Sequence, residues 1–177
     1  MIAAVLGGAL GVWDEYEALM AMAPVDVVIA TNSAGRDFPG EFDHWVSFHA
    51  ELFPHWLERR RRDGQPDPKR FWTINAKRPA NDVPVTRVPN WGGSTGLLAV
   101  TVALQLGIDR IVLCGVPLTR EGEHYDKPGS WRDAPNYRKG FLSHMPEMGG
   151  KVRSFSGYTA EILGKPTREW INGPIGS

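Results

Sequence analysis

Cysteine is nearly absent: a single one, Cys114, stands among 177 residues, inside the apolar run Ile111-Val112-Leu113-Cys114-Gly115-Val116. One thiol excludes a disulfide framework within the chain and a cysteine-based zinc site, and it suits a reducing, cytoplasmic setting. Excess charge is missing too. Lys+Arg and Asp+Glu number 20 each, so no global field draws the chain to nucleic acid or an anionic membrane, and any partner must be recognised locally. No apolar stretch reaches the length of a membrane span. The first one, Met1 to Val12, lacks a basic leader and is followed by Asp14, Glu15 and Glu17, which makes it a poor signal peptide. Internal repeats and low-complexity tracts are lacking. No His and carboxylate spacing matches a recognised metal site, so no metal is expected, and the residues point to no particular cofactor.

What is present is alternation. The length suits one well-packed core and is short for two, so a single domain over 1–177 is expected. Ile2 to Leu6 reads as a buried strand ended by Gly7-Gly8, and Trp13 to Met22 as a helix. Val25 to Ala30 reads as a second strand ending at Thr31-Asn32-Ser33-Ala34-Gly35. His44 to His49 suggests a third strand, Glu51 to Arg61 a helix, and Phe71 to Asn75 a fourth strand. The run Arg59 to Arg62 is expected to be the solvated end of that helix, running into the loop Asp63 to Pro68. Leu97 to Leu106 has helical spacing with Gly107 as its C-terminal cap, and Ile108 to Val116 supplies the next strand. Lys151 to Phe155 suggests a last strand and Thr159 to Leu163 a helical turn. Such alternation predicts an α/β fold, a Rossmann-like three-layer sandwich with a mainly parallel sheet.

In open parallel sheets ligands bind beyond the carboxyl ends of the strands. Three polar loops fall there: Gly7-Gly8-Ala9-Leu10-Gly11, Thr31 to Gly35, and Asn90 to Gly96. The first loop does not have the spacing of a dinucleotide fingerprint, and the third lacks the lysine of a P-loop. That third loop is still the most informative, because Gly92, Gly93 and Gly96 let backbone approach a ligand while Ser94 or Thr95 caps a helix whose free N–H groups favour an anion. Gly7, Gly8, Asn32, Ser33, Asn90, Gly92, Gly93, Ser94, Thr95 and Gly96 are the candidate nucleotide-binding residues. Replacing Gly93 with Val is expected to weaken nucleotide binding and leave the fold intact.

The segment Thr119 to Gly150 is long, polar and weakly periodic, which predicts a mobile lid or binding loop. It carries His124, Tyr125, Trp131, Tyr137 and His144, and its aromatic residues suit a sugar or base. His124 is the first candidate to accept a proton from an acceptor hydroxyl, and His144 the second. His49 and Glu51 are read as a surface histidine and a helix-starting glutamate in preference to an acid/base pair. Seven Trp residues are many for such a chain, and some are expected to line a cleft or a contact between copies in a homo-oligomer.

The segment Asn90 to Leu118, NWGGSTGLLAVTVALQLGIDRIVLCGVPL, resembles a pattern in the bacterial family 42 sialyltransferases and in the archaeal 6-hydroxymethylpterin diphosphokinase-like proteins. There a similar Ser-Gly loop opens an Ala-rich helix, and a Leu-Gly ending and a strand closing in Gly-(Val/Ile)-Asp-(Leu/Phe) follow. Gly7-Gly8 and Thr31-Asn32 look like the glycine loop and Asn-bearing strand end of those families. The resemblance covers about half of the chain and implies a Rossmann-like fold that handles nucleotides: a cytidine-monophosphate sugar donor in the first family, ATP with a pterin in the second. Pro117 stands where the families usually carry Asp, so the role of that Asp does not carry over. His124 and His144 both fall in the region of a catalytic histidine. The chain is shorter than typical members, so an accessory acceptor-binding lid is expected to be reduced. The segment SFSGYTAEILGKPTREW resembles compact phage-encoded proteins. The function expected on these grounds is a transferase using a nucleotide-activated donor, with glycosyl or sialyl transfer ahead of pyrophosphoryl transfer. The alternative is a non-catalytic nucleotide-binding module of phage or mobile-element origin. Polar residues at all three strand-end loops favour the first, and Pro117 favours the second.

Overall fold

The computed structural model describes residues 1–74, 83–120, 122–126, 129 and 131–174. Asn75, the expected end of the fourth strand, and residues 121, 127, 128 and 130 of the expected lid lie outside the described residues. Seven strands form one sheet: β1 (Ile2–Leu6), β2 (Val27–Thr31), β3 (His44–Val46), β4 (Arg70–Ile74), β5 (Val85–Val88), β6 (Arg110–Cys114) and β7 (Val152–Ser154). Every pairing is parallel, in the order β5-β4-β3-β2-β1-β6-β7. The helices are α1 (Val12–Met22), α2 (Ser33–Asp37), α3 (Phe53–Arg62), α4 (Thr95–Gln105), α5 (Ala134–Ser143), α6 (Met145–Met148), α7 (Gly157–Leu163) and α8 (Arg168–Asn172), with a 3-10 turn at Ala50–Leu52 leading into α3. This is the Rossmann-like α/β sandwich, and its sheet is parallel throughout the described residues.

The two-residue period of the strands sorts their side chains into two cores. Ala3, Val5, Ile29, Val46, Trp72, Ile111 and Leu113 face one side with α4, Phe141 of α5 and Leu163 of α7. Ala4, Leu6, Ala30, Trp45, Phe71, Val112 and Cys114 face the other, with Val12 and Leu19 of α1, Phe53 and Leu57 of α3, and Ile171 of α8. Both faces of the central strands β1, β2 and β6 are covered, so these three read as nearly continuous apolar runs. The helix α4 carries the chain from β5 at one edge to β6 beside β1. Gly96 through Ala103 are all buried, so it is apolar on every side, as a helix enclosed by the core must be. Edge strand β5 was not expected from the sequence. Thr86 and Arg87 in it are exposed, and Pro84 and Pro89 flank it, so its apolar signal is diluted by the residues that keep an edge from pairing with another chain. The five-residue α8 was also missed, since its one buried residue gives no periodicity; Thr167 caps it by accepting from Trp170 N at 3.1 Å.

The arginine run corrects its sequence reading. Arg61 pairs with Asp67 in solvent, but Arg60 is fully buried, and burial pushes its guanidinium's pKa down. It donates to Gly35 O at 3.1 Å, to Phe38 O and Pro66 O at 2.5 Å each, and to Gly40 O, and lies 4.8 Å from the centre of the Phe42 ring. Neutral carbonyls, in place of a carboxylate, compensate this buried charge, and the guanidinium fork joins the turn after α2 to the loop after α3. Arg110 does the same at the other end of the sheet, donating to Trp170 O, Gly173 O and Pro174 O and so fixing α8 below β6. Among the described residues no helix is long and apolar enough to cross a membrane.

Arg60→Met leaves several buried carbonyls without a donor, so it is expected to cost about 3 kcal/mol or more in urea denaturation. Arg59→Met, on the exposed side of the same helix, is expected to change stability by less than about 0.5 kcal/mol. Equal losses in the two variants would show that the guanidinium is not the clamp.

Candidate functional site

From β1 the chain moves toward β2, and from β6 it moves toward β7, so the crevice between the carboxyl ends of β1 and β6 is the sheet's topological switch point. Leu6 lies level with Cys114, and Gly7 N donates to Cys114 O at 2.8 Å, which brings two glycine-bearing strand ends together. A Cβ on Gly7 would sit 2.2 Å from Gly115 O, and one on Gly115, at φ 70°, would sit 2.6 Å from the Cβ of Val12. Side chains are excluded at this junction, and the space above it is a cleft of about 450 Å³.

One residue joins three of the loops around that cleft. Asn32 turns the chain from β2 into α2 at φ 46° and ψ −124°, a conformation that L-residues adopt only under strain. Its carbonyl accepts from Trp45 Nε1 at 2.8 Å, and its N–H donates to Val46 O at 3.1 Å. The side-chain amide takes the hydroxyl of Ser47 on Oδ1 at 2.8 Å and donates through Nδ2 to Thr95 Oγ1 at 3.2 Å. Ser47 Oγ in turn accepts the backbone N–H of His49 at 2.9 Å. The donors run in one direction, from His49 through Ser47 and Asn32 to Thr95. The Thr95 hydroxyl has accepted already, so its own hydrogen is available to the cleft.

Thr95 is the first residue of α4. Ser94 caps the helix, its Oγ accepting from Leu97 N at 3.3 Å, and the amide dipoles of the first turn point into the cleft. A Cβ at Gly96 would meet Val116 Cγ1 at 2.7 Å, so glycine lets the helix start against the end of β6. Gly93, Ser94, Thr95 and Gly96 line the cleft, as do Gly7, Gly8 and Asn32. Asn90 and Gly92 do not: Asn90 Oδ1 accepts from Gly92 N at 2.8 Å and shapes the turn from outside. Gly93 has φ 89°, and a Cβ there would come 3.3 Å from Tyr137 O. Gly93→Val would therefore strain the fold, contrary to the expectation that it leaves the fold intact.

The lid segment is more ordered than its sequence suggests. It contains α5 and α6, with Phe141 fully buried, and it is tied down near its start and again from α5. At its start, Leu10 N donates to Glu123 O and Tyr125 N to Gly8 O, each at 3.0 Å, and Tyr125 packs edge-on against Trp13. Tyr125 donates its hydroxyl to Asp37 at 2.9 Å, and Arg36 reaches Asp126 at 2.6 Å. Burial, with Asp37 alongside, pushes the Tyr125 phenol well above its ordinary pKa, so it stays protonated; Ser33, buried at the start of α2 and off the cleft wall, also bonds to it. The Arg36 guanidinium holds Asp126 below the usual carboxylate range, so this latch is fully charged at neutral pH. From α5, Arg138 Nε donates to Leu118 O at 2.9 Å, and its guanidinium lies 4.3 Å over Tyr158. Leu118, with φ 50°, is the other non-glycine residue of positive φ among those described, and it also lines the cleft.

The expected histidines part company. His124 lies on the cleft wall with its Nε2 edge above Gly8, where a Cβ would be 2.3 Å away. His144 does not line the cleft; it stacks on Trp91 with ring centres 4.5 Å apart, and its Nδ1 lies 3.0 Å from Gly140 O. His49 is exposed, as read from the sequence, and it also lines the cleft, as do Phe48, Trp131 and Tyr137. Two tryptophans, Trp45 and Trp72, are buried in the cores. Pro117 is structural: its carbonyl accepts from Tyr158 N at 2.8 Å, and a Cβ on Gly157 would strike it. Among the described residues no group of three or more His, Cys, Asp or Glu is placed to hold a metal ion.

Asn32→Ala removes the side-chain crosslink and keeps the strained φ, whereas Asn32→Gly removes both. The Ala variant is expected to be less stable than the Gly variant by about 1–2 kcal/mol in urea denaturation. Equal stabilities would show that the turn carries no strain.

No protein-family model, curated protein or solved structure matches this chain, so the parallel α/β fold is as far as its relationships are shown.

Proposed function

We propose that the cleft binds a nucleotide carrying a phosphate-linked group, and that the chain is a transferase acting on such a nucleotide-activated donor. The observation that carries this reading is the start of α4 at the switch point, where Thr95 offers a hydroxyl hydrogen directed by the Asn32 relay beside the amides of a helix N-terminus. Those groups suit an anion. Phe48, Trp131 and Tyr137 supply flat faces for a base or sugar around it. The volume, about 450 Å³, is in the range of small-molecule sites.

Glycosyl transfer stands ahead of pyrophosphoryl transfer for an electrostatic reason. The lining residues among those described include no Asp, Glu, Lys or Arg. A phosphodiester with one negative charge needs only neutral donors, whereas a triphosphate with its cation is ordinarily held by carboxylates and basic side chains. The motif resemblance to sialyltransferases and diphosphokinase-like proteins points to the same class of ligand. One observation favours the second reading, a binding module without turnover. His124 Nδ1 accepts the Asp126 N–H at 3.1 Å, so the neutral ring carries its hydrogen on Nε2 and has no lone pair there to take a proton from an acceptor hydroxyl. In this form His124 is therefore not the base expected of it.

Calorimetry with CMP, AMP, CMP-sialic acid, UDP-glucose and ATP tests the binding. At least one is expected to bind and to stabilise the fold by about 2.7 kcal/mol at a concentration 100 times its Kd. Thr95→Val is expected to weaken that binding about tenfold and, because it also removes the acceptor of Asn32 Nδ2, to lower stability by about 1 kcal/mol in urea denaturation. A panel giving neither heat nor a shift in Tm overturns the proposed function.

A further inference from the structure

Two histidines on the cleft wall are held in opposite tautomers, and each has a side-chain or backbone group that selects its form. His49 Nδ1 lies 3.1 Å from Glu51 Oε1. A carboxylate only accepts, so Nδ1 must carry the hydrogen, and in the neutral ring Nε2 is left with its lone pair. His124 is the reverse, because Asp126 N donates to its Nδ1 at 3.1 Å and the ring hydrogen therefore resides on Nε2. One ring is thus set to accept a proton, and the other to donate a hydrogen bond, within one cleft.

The surroundings favour the same division. The His49 side chain is 53 % exposed, so a proton it collects can pass to solvent. Its backbone is fixed to the anion-binding end of α4 by the relay through Ser47 and Asn32 to Thr95. His124 stands over Gly8 at the end of β1, close to the junction with Gly115. We propose that His49, oriented by Glu51, is the general base of this cleft. This rests on the nucleotide-donor reading given above. In the step itself, an acceptor hydroxyl loses its proton to His49 Nε2 as its oxygen bonds to the sugar's anomeric carbon. The bond from that carbon to the phosphate oxygen breaks, and the electron pair leaves with the phosphate, which is held by the Thr95 hydroxyl and the amides at the start of α4. The proton stays on His49 until solvent removes it.

The tautomers can be read on the unliganded protein by two-dimensional proton–nitrogen correlation of the imidazoles, with the five histidines assigned by single His→Gln variants. His49 is expected to show Nδ1–H, and His124 Nε2–H. Glu51→Gln is expected to mix the His49 tautomers and leave His124 unchanged. Either histidine in the opposite form overturns the proposal, whatever the calorimetry shows. Turnover is then measured with CMP-sialic acid, UDP-glucose and GDP-mannose. His49→Gln is expected to lower kcat about 100-fold or more while the Kd for CMP stays within about threefold. Unaltered kcat in His49→Gln overturns the assignment. A wild-type protein that binds nucleotide and turns over none of the three sugars also overturns it, and leaves the binding reading standing.

Discussion

The side-chain amide of Asn32 is the tie on which the cleft depends. A parallel sheet brings its strand ends to one edge, but leaves each loop to find its own position. Asn32 removes that freedom for three of them, because one planar group of fixed length accepts from Ser47 after β3 and donates to Thr95 at the start of α4. Aspartate could not give the second bond, and a longer side chain would displace both partners. The strained backbone at this residue is the condition for the tie, since the sharp turn from β2 into α2 is what aims the amide across the strand ends.

That strain has to be held by something, and the holding is done by aromatic and cationic groups beneath the turn. Trp45 donates to the Asn32 carbonyl while its indole lies so close to Gly35 that a Cβ there would be 2.3 Å from Nε1. Phe53, Trp56 and Phe71 pack around the same indole and fix its plane. Arg60 then takes up the carbonyls of Gly35 and Phe38 from below. The order of dependence runs from a buried aromatic cluster, through two hydrogen-bonded backbone turns, to the position of a hydroxyl in the cleft. A change two layers away from any ligand would be felt there, because close-packed interiors transmit displacement.

The fold was largely legible because its signals are local. Buried strands followed by glycine or polar turns, and an apolar helix ending at Gly107, can be read from neighbours in the chain. The loop of Gly93 to Gly96 and the strand end at Asn32 were found in the same way. What escaped depends on distance. Arg60 sits in a run of four arginines, and nothing nearby says that one of them turns inward to carbonyls contributed from positions 35 to 40 and 66. That the exposed His49 also borders a cleft could not be read locally, because that cleft is closed by α4 and the segment after β6, far along the chain. The lid looked aperiodic because α5 buries few residues, Ala134 and Phe141, which is too sparse a pattern to show.

The uncharged wall of the cleft gives these hydrogen bonds their importance. Where a site is lined with lysine and arginine, long-range attraction brings an anion in and small errors of placement matter little. Here the donors offered to the cleft are a threonine hydroxyl and helix amides, and each loses strength steeply with angle and distance. Such a site can only work if its parts are set before the ligand arrives. The structure meets that requirement by tying the segment down near its start, through Tyr125 and Arg36 to α2, and again from α5, through Arg138 to Leu118. Among the described residues the two non-glycine residues of positive φ are Asn32, which leads into α2, and Leu118, which takes the Arg138 bond, and both line the cleft. Strain at the rim is therefore the counterpart of neutrality inside: without charge to draw the ligand in, the backbone itself must hold the donors where they are needed.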